Sequence, residues 1–189
     1  SPVDPDLMML SCDMSGAYIS EDGGRHWRMI HHQQLQGNTG CRPGFHPTDK
    51  DVIYMADGWG GGMKVTYDRA YHWQTIGDLP GTPTGEIYLD PASPDVMLTG
   101  AETAIYISRD SGAHWEKCDG PTGDAVGFFI DRTSPPLGRS GSVPIGGNLW
   151  PMTNSELGHT VLFAATSDGI WRSDDAGKTW ARKVSGLPS

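Results

Sequence analysis

The sequence predicts an all-β propeller: about four four-stranded antiparallel blades that form part of a larger ring of six to eight. Three observations point to it. An eight-residue pattern, Ser/Thr-x-Asp-x-Gly-x-x-Trp, occurs four times: SEDGGRHW from Ser20 to Trp27, TYDRAYHW from Thr66 to Trp73, SRDSGAHW from Ser108 to Trp115 and SDDAGKTW from Ser173 to Trp180. Its aspartates stand 46, 42 and then 65 residues apart, and the two shorter intervals match the length of one four-stranded blade. The 189 residues also include 26 Gly and 14 Pro, the punctuation that many short strands require.

The repeated pattern reads as a structural turn. Asp22, Asp68, Asp110 and Asp175 can each fold back to accept backbone N–H groups, the following Gly takes a positive-φ position, and Trp27, Trp73, Trp115 and Trp180 re-enter a strand and bury a ring against the neighbouring sheet. The second copy has Ala70 where the others have Gly24, Gly112 and Gly177. That turn is therefore expected to be looser or differently shaped.

The third repeat shows the four strands most clearly, as GEIYLD (Gly85 to Asp90), DVMLTG (Asp95 to Gly100), AIYIS (Ala104 to Ser108) and HWEKC (His114 to Cys118), ordered from the propeller axis outward. Pro/Asp-rich turns join first to second strands, as in HPTDKD (His46 to Asp51) and DPASPD (Asp90 to Asp95). The first repeat opens on a second strand, LMMLSC (Leu7 to Cys12), so one inner strand is missing and a ring closed by this chain alone is not expected. The blades are expected at 1–36, lacking the inner strand, then 37–80, 81–121 and 122–189. The last contains an insertion at 131–159, between VGFFI (Val126 to Ile130) and TVLFAAT (Thr160 to Thr166). A connection of that length is commonly functional.

The net charge of −9, without any Lys/Arg run, argues against nucleic acid or an anionic membrane as partner. No stretch approaches the roughly 20 apolar residues of a membrane span, and SPVDPDLMML lacks the form of a signal peptide. Cys12, Cys41 and Cys118 allow at most one internal disulfide and fit no metal-ligand spacing. No cofactor is expected, and Ca²⁺, although compatible with an acidic surface, has no motif to support it.

Antiparallel order puts the Trp-bearing turns on one face and the second-to-third-strand loops on the other. On that second face Asp13, Asp57, Glu102 and Asp168 end strands around the central opening, joined by Arg42, Glu86 and Asp124 at the starts of inner strands. A carboxylate pair such as Asp13 and Asp57 is what glycoside hydrolysis needs, one acid protonating the leaving oxygen and one carboxylate attacking carbon or activating water. The bland alternative is turn-forming Asp in loops. The loop HHQQLQGNTG adds His31, His32, Gln33, Gln34 and Asn38 as polar contacts for sugar hydroxyls, with the two adjacent imidazoles expected to point apart. Trp59, among glycines in ADGWGGGMK, reads either as a sugar-stacking platform or as inter-loop packing.

The repeat as a whole resembles Asp-box (BNR) propellers, a group that includes sialidases and sortilin-type receptors. CDMSGAY, from Cys12 to Tyr18, is similar to the TDVGGAY-type segment of glycoside hydrolase family 74, the xyloglucan-cleaving enzymes, with Ser15 in place of a Gly. The resemblance implies a catalytic role for Asp13, a second carboxylate in a later region that these residues do not match, a polysaccharide substrate, and a secreted or periplasmic location. A sialidase reading fits less well, because Arg42 is followed by Pro43 and no other arginine starts an inner strand. The alternative function is a non-catalytic propeller that holds a protein or glycan through the same face, or a protein through the 131–159 insertion. In either case a second chain or further segment is expected to complete the ring.

Overall fold

In the computed structural model, described for residues 1–13, 16–37, 40, 42–133 and 160–184 and for the backbone of 142–145 and 148–151, every regular element except one 3₁₀ turn is a β-strand. The first sheet has three strands, β1 (Met8–Cys12), β2 (Gly16–Ser20) and β3 (Arg28–Met29). The second is β4 (Gly44–Phe45), β5 (Ile53–Ala56), β6 (Met63–Thr66) and β7 (Gln74–Thr75). The third is β8 (Thr84–Leu89), β9 (Met97–Ala101), β10 (Ala104–Ser108) and β11 (Glu116–Thr122). β12 (Ala125–Asp131) begins the fourth; β13 (Ser142–Ile145) and β14 (Asn148–Pro151) pair as a separate hairpin; β15 (Val161–Thr166), β16 (Gly169–Ser173) and β17 (Ala181–Lys183) complete it. All pairings are antiparallel and follow chain order within each sheet, and among the described residues the first sheet has three strands where the next two and the last have four.

Alternation on the strands supplies a core between each pair of successive sheets. Ile19, Leu35, Ile53, Met55 and Trp73 join the first sheet to the second; Tyr54, Val65, Ile87, Met97 and Trp115 join the second to the third; Leu98, Ile105, Ile107, Phe128 and Leu162 join the third to the fourth. Each Trp-bearing turn thus packs its ring toward the preceding sheet. Trp27, in the first sheet, has no such neighbour among the described residues and is 40% exposed, so the expectation of four buried rings is corrected there.

The turns share one hydrogen-bond set. Ser20, Thr66, Ser108 and Ser173 accept the N–H four residues on, and Asp22, Asp68, Asp110 and Asp175 do the same through Oδ1, at 2.8–3.0 Å throughout. Ala70 does not loosen the second copy. It adopts φ 63°, with Arg69 before it at 55°, and the backbone bonds keep their lengths. What changes is the indole: Trp27, Trp115 and Trp180 donate Nε1–H to the carbonyls of Gly24, Gly112 and Gly177, while Trp73 Nε1 is buried without a partner.

Hydrogen bonds also fix which loops share a face. Arg69, Ser111 and Ala176 in the Trp-bearing turns donate N–H to Asp51, Asp95 and Thr160 in the first-to-second-strand connections. At the other end of the sheets Gly58 donates to Gln36, Gly123 to Thr103 and Ser167 to Asp124, uniting the second-to-third-strand loops with the segments that lead to the next inner strand.

Candidate functional site

Two loops on that second face place the predicted groups. The β1–β2 turn carries Asp13, which is exposed. The β5–β6 loop, residues 57–62, is closed at its neck by Asp57 N–H donating to Gly62 O at 2.8 Å. It lifts Trp59 out of the surface, 71% exposed, with φ 66°. A bulky residue in the left-handed region costs on the order of 1 kcal/mol, and an exposed indole gains little burial in return. The neighbouring Gly60 and Gly62, at φ 93° and 78°, allow the loop its shape.

The segment 31–37 ties these two loops together. Gln36 N–H donates to Asp57 Oδ1 at 2.7 Å, and its carbonyl accepts from Gly58 N–H at 2.9 Å. Gly37 lies so close to the ends of β1 and β2 that a Cβ there would stand 2.3 Å from the Gly16 carbonyl oxygen and 2.9 Å from that of Cys12. The Asp13 turn and the Trp59 loop are therefore neighbours joined through two residues.

Asp57 is not free to accept substrate. Its side chain is 12% exposed, Oδ1 is held by Gln36, and Oδ2 forms an ion pair with Lys64 Nζ at 2.9 Å. Lys64 also donates to the Gln34 carbonyl at 2.6 Å, while Gln34 Oε1 accepts Trp73 N–H at 2.7 Å. Gln34 is thus committed to the frame. His31, His32 and Gln33 remain exposed, and Asn38 lies outside the described residues. The two imidazoles do not point apart: a turn closed by Gln34 N–H to His31 O at 2.8 Å brings their rings into a stack, centroids 4.6 Å apart.

Further along the same face, Glu86 is half-buried and accepts Phe128 N–H at 3.1 Å, bridging the third and fourth sheets. Asp168 accepts from Thr122 Oγ1 at 2.7 Å. Arg42, Glu102 and Asp124 are exposed. Glu102 borders a polar cleft of about 470 Å³, lined also by Thr103, Lys117, Asp119 and Thr122, where the β10–β11 register breaks between the Tyr106–Lys117 and Ala104–Thr122 pairs. Among the described residues no group of three or more His, Cys, Asp or Glu side chains could hold a metal ion. No helix there is long and apolar enough to cross a membrane.

Lys64 is the site residue that pattern reading did not single out. The signal was present: two residues before the Ser/Thr of each repeat the chain has Tyr18, Lys64, Tyr106 and Trp171, so an aromatic position carries a charge in the second repeat alone.

No protein-family model matches the chain. A xyloglucanase from a Paenibacillus species is 26% identical over 97% of this chain and 20% of its own length. An oligoxyloglucan-reducing end-specific xyloglucanase from Emericella nidulans is 22% identical over 95% of this chain and 26% of its own. Among solved structures, the glycoside hydrolase family 74 xyloglucanase of Xanthomonas campestris superposes with TM-score 0.63 at 23% identity, covering 99% of this chain and 30% of that one. An ancestral family 74 enzyme gives TM-score 0.60 at 16% identity, covering 98% and 25%. The chain therefore spans less than a third of each of these proteins and has the fold of the corresponding part of the family 74 enzymes.

Proposed function

We propose that this chain is the part of a glycoside hydrolase propeller that supplies one catalytic carboxylate, Asp13, and a stacking platform, Trp59, to a polysaccharide lying across the loop face. The substrate class is a xyloglucan-type β-glucan, by likeness to the xyloglucanases. The observation that carries the reading is the junction of the two loops: the turn with the exposed carboxylate and the loop with the exposed indole, each alone unremarkable, are both anchored on Gln36 and Gly37. A planar indole face suits the apolar C–H face of a pyranose ring, and His31, His32 and Gln33 nearby suit hydroxyls. Arg42, Glu86 and Glu102 belong to the same face as outlying contacts. The second carboxylate of the pair is supplied by sequence beyond these residues, and the protein acts outside the cytoplasm.

The test is hydrolysis of xyloglucan by the full-length protein. Asp13→Asn lowers reducing-sugar release at least about 100-fold, the lower end of what a positioned acid or base contributes, with the fold intact by circular dichroism. Unchanged hydrolysis in that variant removes Asp13 from the mechanism.

A further inference from the structure

We infer that the Lys64–Asp57 ion pair is a strut that fixes the separation of Asp13 and Trp59, which makes Lys64 and Asp57 positioning residues rather than participants in proton transfer. The inference rests on the proposed function only for what the two tips do; the strut itself stands on the geometry. Both partners are 12% exposed, Asp57 just past the end of β5 and Lys64 on β6 opposite Met55. A buried ion pair seldom stabilises more than a well-packed apolar pair of the same shape, so its presence asks for a role in specifying geometry. Each of its atoms is spent on a different segment. Asp57 closes the β5–β6 loop through its own N–H and takes Gln36 N–H on Oδ1; Lys64 bridges Oδ2 to the Gln34 carbonyl. Gly61 is packed against the same carboxylate, since a Cβ there would stand 2.3 Å from Oδ2. Three segments, 57–62, 34–37 and, through Gly37, the ends of β1 and β2, are so held to one pair of charges.

The repeat sharpens the point. Tyr18, Tyr106 and Trp171 occupy the position of Lys64 in the other three sheets, where each pairs with the same place on its neighbouring strand. A local rule kept three times and broken once, at the sheet that bears the exposed Trp, marks a constraint other than folding. The same contacts argue for a positioning rather than a catalytic Asp57: its two oxygens serve a backbone amide and an ammonium, and reaching a sugar oxygen competes with both.

The experiment uses the full-length protein and compares Lys64→Met, Lys64→Arg and the double variant Lys64→Met/Asp57→Leu, whose two uncharged side chains protect against simple unfolding. Amide hydrogen exchange without ligand reads the strut, and binding of a xyloglucan oligosaccharide reads its consequence. Lys64→Met and the double variant are expected to speed exchange about tenfold or more in 13–17, 34–37 and 57–62 together, and to weaken oligosaccharide binding about tenfold, while Lys64→Arg restores both. Faster exchange confined to 57–62, with 13–17 and 34–37 as in the parent, overturns the strut. Concerted loosening in a protein that binds no oligosaccharide in any form upholds the strut and removes the proposed function.

Discussion

At the scale of single residues the informative charges are paired, and each pairing has a direction in pH. In three of the four turns a histidine follows the aspartate by four residues, with Nδ1 2.6 Å from Oδ2: His26 on Asp22, His72 on Asp68 and His114 on Asp110. The His114 backbone N–H, then its ring, holds the Asp110 carboxyl down at about 2. At Asp68 partial burial works the other way, but the His72 ring and N–H and the Thr66 hydroxyl outweigh it and bring the carboxyl to about 2. The hydrogen bond that its ring N–H donates to Asp110 in turn raises His114 above its ordinary value of 6.5. A depressed carboxyl contributes stability above about pH 4 that is lost as pH falls toward 2, whereas a raised imidazole contributes stability below about pH 6.5 that is lost as pH rises through its folded value. The Asp110–His114 turn should therefore be firmest between about pH 4 and 6.5. Following His114 by its ring proton shifts, we expect Asp110→Asn to lower its titration midpoint, leaving only the smaller upward pull of Asp78; an unchanged midpoint in that variant dismisses the pairing. These pairs were half legible in sequence. The recurring Asp announced the turn, but the role of the histidines depends on the reversal of the chain between them, which spacing alone does not reveal. Asp57 is the counterpart at the site: as a residue ending a strand it resembled Asp13, and only partners at Gln36 and Lys64, supplied by folding, separate a held carboxylate from an exposed one.

At the scale of elements, strand order and the two loop faces followed from alternation and turn chemistry, because these are local. Ala104–Ser108 coincides with its predicted span, and Ala125–Asp131 and Val161–Thr166 lie within one residue of theirs at each end. The outer strands were harder. β3 and β7 have two residues each, and β11 runs on to Thr122 across a register break that no periodicity shows. The loop HHQQLQGNTG, in sequence a source of polar contacts for sugar hydroxyls, also connects the site, through the backbone of residues 34–37 and through Gln34 Oε1, which accepts Trp73 N–H. Gly37 is the tightest point of that connection. Because the atoms a Cβ would meet are backbone atoms of Gly16 and Cys12, which cannot rotate away, Gly37→Ala is expected to destabilise by about 1–3 kcal/mol, the usual range for overpacking. Denaturant midpoints read this directly, and a change under about 0.5 kcal/mol, typical of open surface, shows that the two loops are not in contact there.

At the scale of the whole molecule the repeat supplies its own control for the two outermost faces. Counting back from the Ser/Thr of each turn, Met8 and Leu10 on β1 correspond to Ile53 and Met55 on β5. The latter pair is fully buried against the first sheet; the former is 41% exposed. On the fourth sheet Phe129 corresponds to Tyr88 and Phe163 to Leu98, and Leu98 is sealed by the fourth sheet while Phe129 is 56% exposed. Apolar side chains thus occupy, on both outer faces, the positions that elsewhere lie between sheets. Among the described residues no inner strand lies beside β1, where the three four-stranded sheets have one. Relatives three to five times as long as the matched region have ample chain to cover these faces, and we propose that further sheets of the same repeat do so in the complete protein. Leu10→Asp and Phe129→Asp then put an unpaired charge into an interface and should each destabilise the full-length protein by about 3–5 kcal/mol, as should the inner pair, Met55→Asp at the position equivalent to Leu10 and Leu98→Asp on the face that the fourth sheet covers. If the outer pair instead changes stability by no more than about 0.5 kcal/mol, as exposed substitutions do, while the inner pair behaves as stated, water rather than another sheet faces Leu10 and Phe129, and this chain is a segment of four sheets with two free ends.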